Sequence, residues 1–292
     1  RDITAGLIHG TRIAFIVGII SMSIASFIGI LLGAIAGFFG DNKIQISRAS
    51  VIMGIIFFFL GWFYAFMTRS YTLSDAIGES IIKFLGELLL SLLIFIGALF
   101  AGYLLGFVLK VIPFFKTKVN IPVDIIVQRM IEILVSIPRL FLIIAVIAIS
   151  KPGIVLIMVI IGLTSWTEIA RFIRAELLKV RSLEYIEASE ALGYSRWRIL
   201  FKHAIPNAIA PVLITVAFGI AAAILIESSL SFLGIGVPAE VVTWGKILAK
   251  AQGSKSQMWV AIFPGIAIFL TVTLFNLIGE GLTDALDPRQ KK

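Results

Sequence analysis

Seven apolar runs, each long enough to cross about 30 Å of hydrocarbon as a helix of roughly 20 residues, dominate this sequence. They lie at about 12 to 39, 51 to 67, 86 to 109, 130 to 149, 153 to 170, 208 to 230 and 259 to 279. With 59% hydrophobic residues and a mean hydropathy of +1.06, no soluble core could hide this surface, so lipid is the solvent. Backbone groups in lipid must be satisfied within the segment, and the runs lack the alternating lumen and lipid faces of barrel strands. The sequence therefore predicts an all-α polytopic membrane protein. The first run is too long for a cleaved leader, and no small-residue cleavage site follows it. Because the sequence opens with Arg1 directly against that run, we expect a preceding piece outside it.

Charge placement sets the expected orientation. The net charge of +8 would suit a nucleic-acid partner, but position matters more than total. With Arg1 outside, the cytoplasmic segments are 40 to 50, 110 to 129, 171 to 207 and 280 to 292, and they hold the larger share of the 25 Lys and Arg. The outer loop with Lys246, Lys250 and Lys255 runs against this asymmetry without reversing it. The absence of cysteine excludes disulfides, thiolate metal sites and cysteine nucleophiles. The two histidines, His9 and His203, fall on opposite sides of the predicted membrane, so no shared metal site is expected. No Gly-x-Ser-x-Gly, His-Glu-x-x-His or Gly-Lys-Ser/Thr phosphate loop occurs, which disfavours a hydrolase or a nucleotide-binding chain.

Several local devices have a physical reading. Gly29, Gly33 and Gly37 stand one turn apart and leave a smooth stripe for a second helix; Gly102 and Gly106 repeat it. Pro138 should kink the fourth span. Residues 41 to 121 read as a unit: two spans, a polar outer turn with Thr72, Ser74, Asp75 and Glu79, and a return ending at Pro113. After Ala170 the composition becomes charged, and the spacing predicts two short helices. Ser182 would cap the first, with Glu184 in its first turn, and Gly193 would end it in a left-handed conformation. Ser195 would cap the second, running towards Pro206. Glu184, Glu187 and Glu190 share one face of the first helix, while Tyr185, Ala188 and Leu192 share another.

The order Glu187-Ala188-Ser189, then Gly193, then His203-Ala204-Ile205-Pro206 resembles the "EAA" loop of ATP-binding-cassette importer permeases. Ser189 replaces an alanine of that motif, and the His203 form followed by Asn207 is similar to the peptide and nickel branch. His9-Gly10-Thr11-Arg12, Ser136-Ile137-Pro138, Glu227-Ser228-Ser229-Leu230-Ser231-Phe232-Leu233-Gly234 and Asp284-Ala285-Leu286-Asp287-Pro288 resemble further stretches of its dipeptide and oligopeptide second-permease type, as does Arg1-Asp2. The resemblance covers about 1 to 40 and 122 to 290. It implies a type I importer permease fold with an extra two-helix insertion: a first span over 1–40, an inserted segment over 41–121, and a permease core over 122–292 with its coupling loop at 171–207.

Function follows as an expectation from that resemblance. The chain would be a transmembrane permease subunit moving di- or oligopeptides across the bacterial cytoplasmic (inner) membrane by alternating access, with its C-terminus in the cytoplasm. Expected partners are a second homologous permease, two ATP-binding-cassette ATPases that bind ATP and Mg, and an extracytoplasmic substrate-binding protein. No catalytic residue and no cofactor are expected in this chain. The coupling residues would be Glu184, Glu187, Ala188, Ser189, Gly193, His203 and Pro206. An ionisable residue inside a span is a functional candidate by default, so Arg139, Glu132 (one helical face away) and Glu227 are candidates for the translocation path. Alternatively, Arg139 pairs with a carboxylate or snorkels, and Glu227 sits at the water interface. The loop from Ser231 to Gln257 would meet the binding protein or pack as a re-entrant gate. Other readings are a permease for nickel or another solute, and an ion-coupled secondary transporter using Glu132, Arg139 and Glu227.

Overall fold

The computed structural model describes residues 3–150, 152–252 and 258–286 of the chain. Arg1-Asp2, Lys255 and Asp287-Pro288 therefore lie outside the described residues. The chain divides into two compact units, Arg1–Phe38 with Ile126–Lys292, and Phe39–Ile125.

The first unit begins with α1 (Ile3–Phe39), 37 residues and so about 55 Å long. The glycine stripe of α1 meets α8 (Ile154–Val180), as its spacing predicts. A β-carbon on Gly33 would stand 2.4 Å from the Ala170 carbonyl oxygen, and on Gly29 or Gly37 2.8 and 2.7 Å from those of Trp166 and Arg174. Gly162 returns the contact from α8, where a side chain would meet Ile24 and the Ser21 carbonyl. Backbone-to-backbone approach of this kind is how helices gain dispersion energy where lipid offers no hydrophobic drive. The α8 helix is the most enclosed span, burying Ile157, Ile161, Ile169, Ile173 and Leu177.

Around this pair stand α12 (Ala210–Phe232), α13 (Trp244–Ala251) and α14 (Trp259–Leu286), which pack on one another. Trp244 is 2% exposed and wedges towards α1: its indole N–H donates to the Leu7 carbonyl at 3.0 Å, against Gly10. Only a glycine leaves room for that ring. Phe15 and Phe275 bring α1 and α14 together at 5.6 Å between ring centroids.

The fourth span departs from a kinked helix. The chain forms α6 (Val123–Val135), breaks at Ser136-Ile137-Pro138, and restarts as α7 (Arg139–Ala148), bent by 77°. Pro138 supplies no N–H and disfavours helical geometry in the residue before it, so the helix stops instead of bending. Among the described residues, six helices are long and apolar enough to cross a membrane, and α6 with α7 makes a seventh segment if the pair is one span.

The second unit is a helical hairpin. α2 (Arg48–Trp62), prolonged by a π turn at Phe63–Met67, packs along α4 (Ile81–Leu109). Gly102 and Gly106 lie against Phe57 and Ser50, so this second stripe also serves close packing. The polar outer turn is not a turn: residues 70–79 form α3 (Ser70–Glu79). At the opposite end, around α5 (Pro113–Lys116), β1 (Gln45–Ser47) pairs antiparallel with β2 (Lys118–Asn120), Ile46 facing Val119. These two strands, invisible to span counting, tie the entry and exit of the unit together. Ser47 caps α2 through the Ser50 N–H, and Ser80 caps α4 through that of Lys83.

Candidate functional site

Helix α8 does not end at Ala170. It stays helical through the charged stretch to Val180, burying Ile173 and Leu177, so the connecting segment begins at Arg181. The Arg181 guanidinium then donates to the Gly37 carbonyl of α1 at 3.3 Å. Charge alone misplaced this boundary by marking residues 171 to 180 as loop, because a helix whose polar face leaves the membrane keeps its buried stripe.

The short helix α9 (Glu184–Ala191) follows. Ser182 does not cap it; its hydroxyl turns back to the Lys179 carbonyl at 2.8 Å, and Leu183 takes the cap position without a side-chain bond. The helix is held by Ile186, 1% exposed, which sequence reading missed because a lone Ile among glutamates offers no periodic stripe. Its C-terminus closes as expected of Gly193, whose φ is +79°. The Gly193 N–H bonds the Glu190 carbonyl and that of Tyr194 bonds Ser189, at 3.0 and 3.2 Å, the pair of a Schellman motif. The Ser189 hydroxyl donates to the Tyr185 carbonyl at 2.7 Å. Glu184, Glu187, Ala188 and Glu190 are all exposed.

Ser195 caps α10 (Arg196–Ile199) as predicted, accepting from the Arg198 N–H at 3.3 Å. The chain then widens into a π turn, Leu200–Ala204, before α11 (Ile205–Ala208). Pro206 has no N–H for the carbonyl one turn back, and a widened turn accommodates that loss. Asn207 recovers one acceptor by donating its amide to the His203 carbonyl at 2.7 Å. The His203 ring lies parallel to that of Tyr194, and the Arg198 guanidinium lies over the same Tyr194 ring, 4.5 Å from its centroid. Ile199, Leu200, Ala204 and Ala208 face inward, while Leu192, Trp197 and Phe201 are 73%, 49% and 52% exposed. The result is a firmly anchored element with an acidic outer helix and, beside it, the exposed rings of Trp197 and Phe201 stacked at 6.1 Å.

The path candidates separate. Arg139 does not meet Glu132, which pairs with Arg129 on the exposed face of α6. It reaches Glu168 on α8 at 2.7 Å. A carboxylate partner was among the expected roles, but Glu168 was not the residue singled out. The same intramembrane-charge signal identifies it, since it falls within the run at 153 to 170. Arg139, Glu168, Thr164, Thr167 and Arg171 line one cleft of about 370 Å³ beside the Pro138 break. Glu227 is 1% exposed and so is not at a water interface. Its carboxylate accepts from the Ser231 hydroxyl at 2.5 Å, and Ser228 stands 3.5 Å away. Here α12 meets α13 so closely that a side chain on Gly245 would collide with the Ser228 carbonyl.

The loop after α12 is folded rather than open. Gly234 and Gly236 turn it with positive φ, and Thr243 caps α13 through the Lys246 N–H. The Lys246 ammonium donates to the carbonyls of Pro238 and Val241. Burial pulls this ammonium below its ordinary pKa, opposed by the nearby Glu240. Among the described residues, no group of three or more His, Cys, Asp or Glu is arranged to hold a metal ion. His9 is exposed at the start of α1.

A bent segment at Pro138, a cleft holding an ion pair, and an anchored short helix between long apolar helices define a polytopic helical membrane protein with a structured connecting element. The chain belongs to the family described as "Binding-protein-dependent transport system inner membrane component", whose model matches residues 98–292. That match begins inside α4. Relatives include a dipeptide transport system permease protein of Alkalihalophilus pseudofirmus, 36% identical over 58% of this chain and 56% of its own length. A putative peptide transport system permease protein of Brucella suis is 42% identical over 58% and 57%. A glutathione transport system permease protein of Pectobacterium atrosepticum is 38% identical over 58% and 56%. The chain thus aligns with little more than half the length of these relatives.

Proposed function

We propose that this chain is a transmembrane subunit of an ATP-driven importer that passes short peptides across the membrane by alternating access. One observation carries the coupling part of the reading: α9 is fixed from beneath by Ile186 and closed at Gly193, yet leaves Glu184, Glu187 and Leu192 exposed on the surface. A helix of eight residues holds such a pose for a second protein. ATP hydrolysis falls to two partner ATPases with bound ATP and Mg, whose closure moves α9 and, through α8, the spans. The residues of this coupling element are Glu184, Glu187, Ala188, Ser189, Gly193, His203 and Pro206. A second permease subunit completes the path, and an extracytoplasmic binding protein delivers substrate to the loop around α13.

This arrangement puts α9 and the C-terminus in the cytoplasm, in line with the charge asymmetry. Residues 1–40 and 122–292 form the permease core, and residues 41–121 an added helical hairpin. Peptides are favoured as substrate because the relatives are named for dipeptides, peptides and glutathione. In the cleft, Arg139 offers a guanidinium to a peptide carboxylate while Glu168 holds it in place. Uptake by the purified complex in vesicles tests the proposal: ATP-dependent uptake of peptide with binding protein present is expected. Uptake driven by an ion gradient with no ATPase would overturn it.

A further inference from the structure

The strongest unexplained feature lies in the hairpin of the second unit. Its two ends differ in how their cations are held. At the α3 end, Arg69 pairs with Glu87 and Lys83 with Glu79. At the β1–β2 end, Lys110, Lys116 and Lys118 line one cleft of about 520 Å³ whose walls contain no carboxylate. Among the described residues none of the three is in an ion pair. The Lys110 ammonium lies over the Phe107 ring at 5.5 Å.

The rest of the cleft has a different character. It continues between α2 and α4 along Gly54, Leu99 and Tyr103, a trough with a phenol at its side. Gly54 is open: a β-carbon there would meet nothing within 4 Å. Outside the trough the same helices expose Phe58, Phe59, Leu89 and Phe107, a surface that fits lipid chains. Arg48 lies over the exposed Phe114 ring at 5.2 Å, placing a further cation and an aromatic at this level. Like charges crowded without a counter-ion repel, and a structure keeps them together at least cost when an anion joins them.

We infer that this cleft binds an anionic phospholipid, with its phosphate held by Lys110, Lys116 and Lys118 and one acyl chain lying in the trough past Gly54. Basic pockets between membrane helices recognise such headgroups. The volume falls within the range of about 300–1,000 Å³ usual for small-ligand sites. A free phosphate would use the lysines and leave the apolar trough empty; the lipid uses both. The site rests on α2 and α4 as membrane helices and not on the peptide-importer reading, so either can fail alone.

The test uses the full chain with its copurifying partners, in nanodiscs of phosphatidylcholine alone or with one fifth phosphatidylglycerol. Lipid retained after transfer to detergent is counted by native mass spectrometry. A lysine near an anionic headgroup gives roughly a fivefold preference, so phosphatidylglycerol should be retained over phosphatidylcholine by at least tenfold. Lys110→Gln with Lys116→Gln and Lys118→Gln should abolish that preference. Gly54→Leu, which fills open space and favours helix, should lower retention of phosphatidylglycerol while the complex stays monodisperse. Inorganic phosphate at 100-fold excess over lipid should not displace it. Equal retention of the two lipids, a preference that survives the triple lysine change, unaltered retention in Gly54→Leu, or displacement by phosphate would each overturn the inference.

Discussion

Replacing Gly33 by alanine puts one methyl group into the close contact between α1 and α8. That methyl would stand 2.4 Å from the Ala170 carbonyl oxygen and 2.5 Å from the Ile173 side chain, where ordinary contact begins near 3.4 Å. One partner is backbone in the middle of α8 and cannot rotate away, so the seam must open by about 1 Å. A gap of 0.5–1 Å forfeits roughly a quarter to a half of each dispersion contact, and Gly29, Gly37 and Gly162 share the seam. Overpacking of this kind costs about 1–3 kcal/mol, or a fall in Tm of roughly 2–12 °C at about 2–4 °C per kcal/mol. Transport should fall too, since Arg181 reaches Gly37 across the same seam just before α9. Gly97→Ala is the control: its added methyl meets nothing within 4 Å, and alanine is the better helix former. Thermal unfolding followed by tryptophan fluorescence in detergent separates the two. If Gly33→Ala melts with Gly97→Ala, the close-approach argument is wrong.

At Gly193 the constraint is the positive φ alone, because a side chain would find open space. Gly193→Asn should therefore keep the ratio of uptake to ATP hydrolysis, while Gly193→Val, strained by about 1–2 kcal/mol, should lower it; equal losses would assign the effect to a partner contact instead. Arg139 and Glu168 are partly exposed, so a double-mutant cycle with Arg139→Gln and Glu168→Gln should give a coupling of no more than about 1 kcal/mol in stability. Uptake should discriminate more sharply: Arg139→Gln should slow peptides with a free C-terminal carboxylate more than amidated ones, and equal slowing would remove Arg139 from recognition. Glu227→Ala should destabilise by about 1–3 kcal/mol by orphaning the Ser231 hydroxyl, and Glu227→Gln by less. Identical melting of both variants and the parent would show that this carboxylate does not hold α12.

Long-period features were legible in the sequence. Apolar runs located the spans because lipid imposes one length on them, and both glycine stripes announced the close packing they make. Gly193 and Ser195 were readable because a left-handed residue and a helix cap are local requirements. What escaped depended on neighbours distant in sequence. Ile186 and Trp244 are buried by elements that no periodicity connects to them. The sequence points to a carboxylate for Arg139 without naming one, and Glu168 lies 29 residues onward on another helix. Ser182 had the right chemistry for a cap and spends it on the preceding turn. The β1–β2 pair is too short for a strand signal, and the break at Pro138 was read as a kink because proline alone does not say whether a helix resumes in line.

The chain contains no cysteine, which makes the central claim directly measurable by single-site crosslinking. Glu187→Cys and Leu192→Cys each place one thiol on or beside α9, and His9→Cys places one at the exposed start of α1. A short bifunctional thiol-to-amine reagent is applied to the assembled complex in native membranes, and the adducts are identified by mass. The account predicts an ATPase-subunit adduct from the two α9 positions and none from His9→Cys. No ATPase adduct from either α9 position, or an equal yield from His9→Cys, would contradict it.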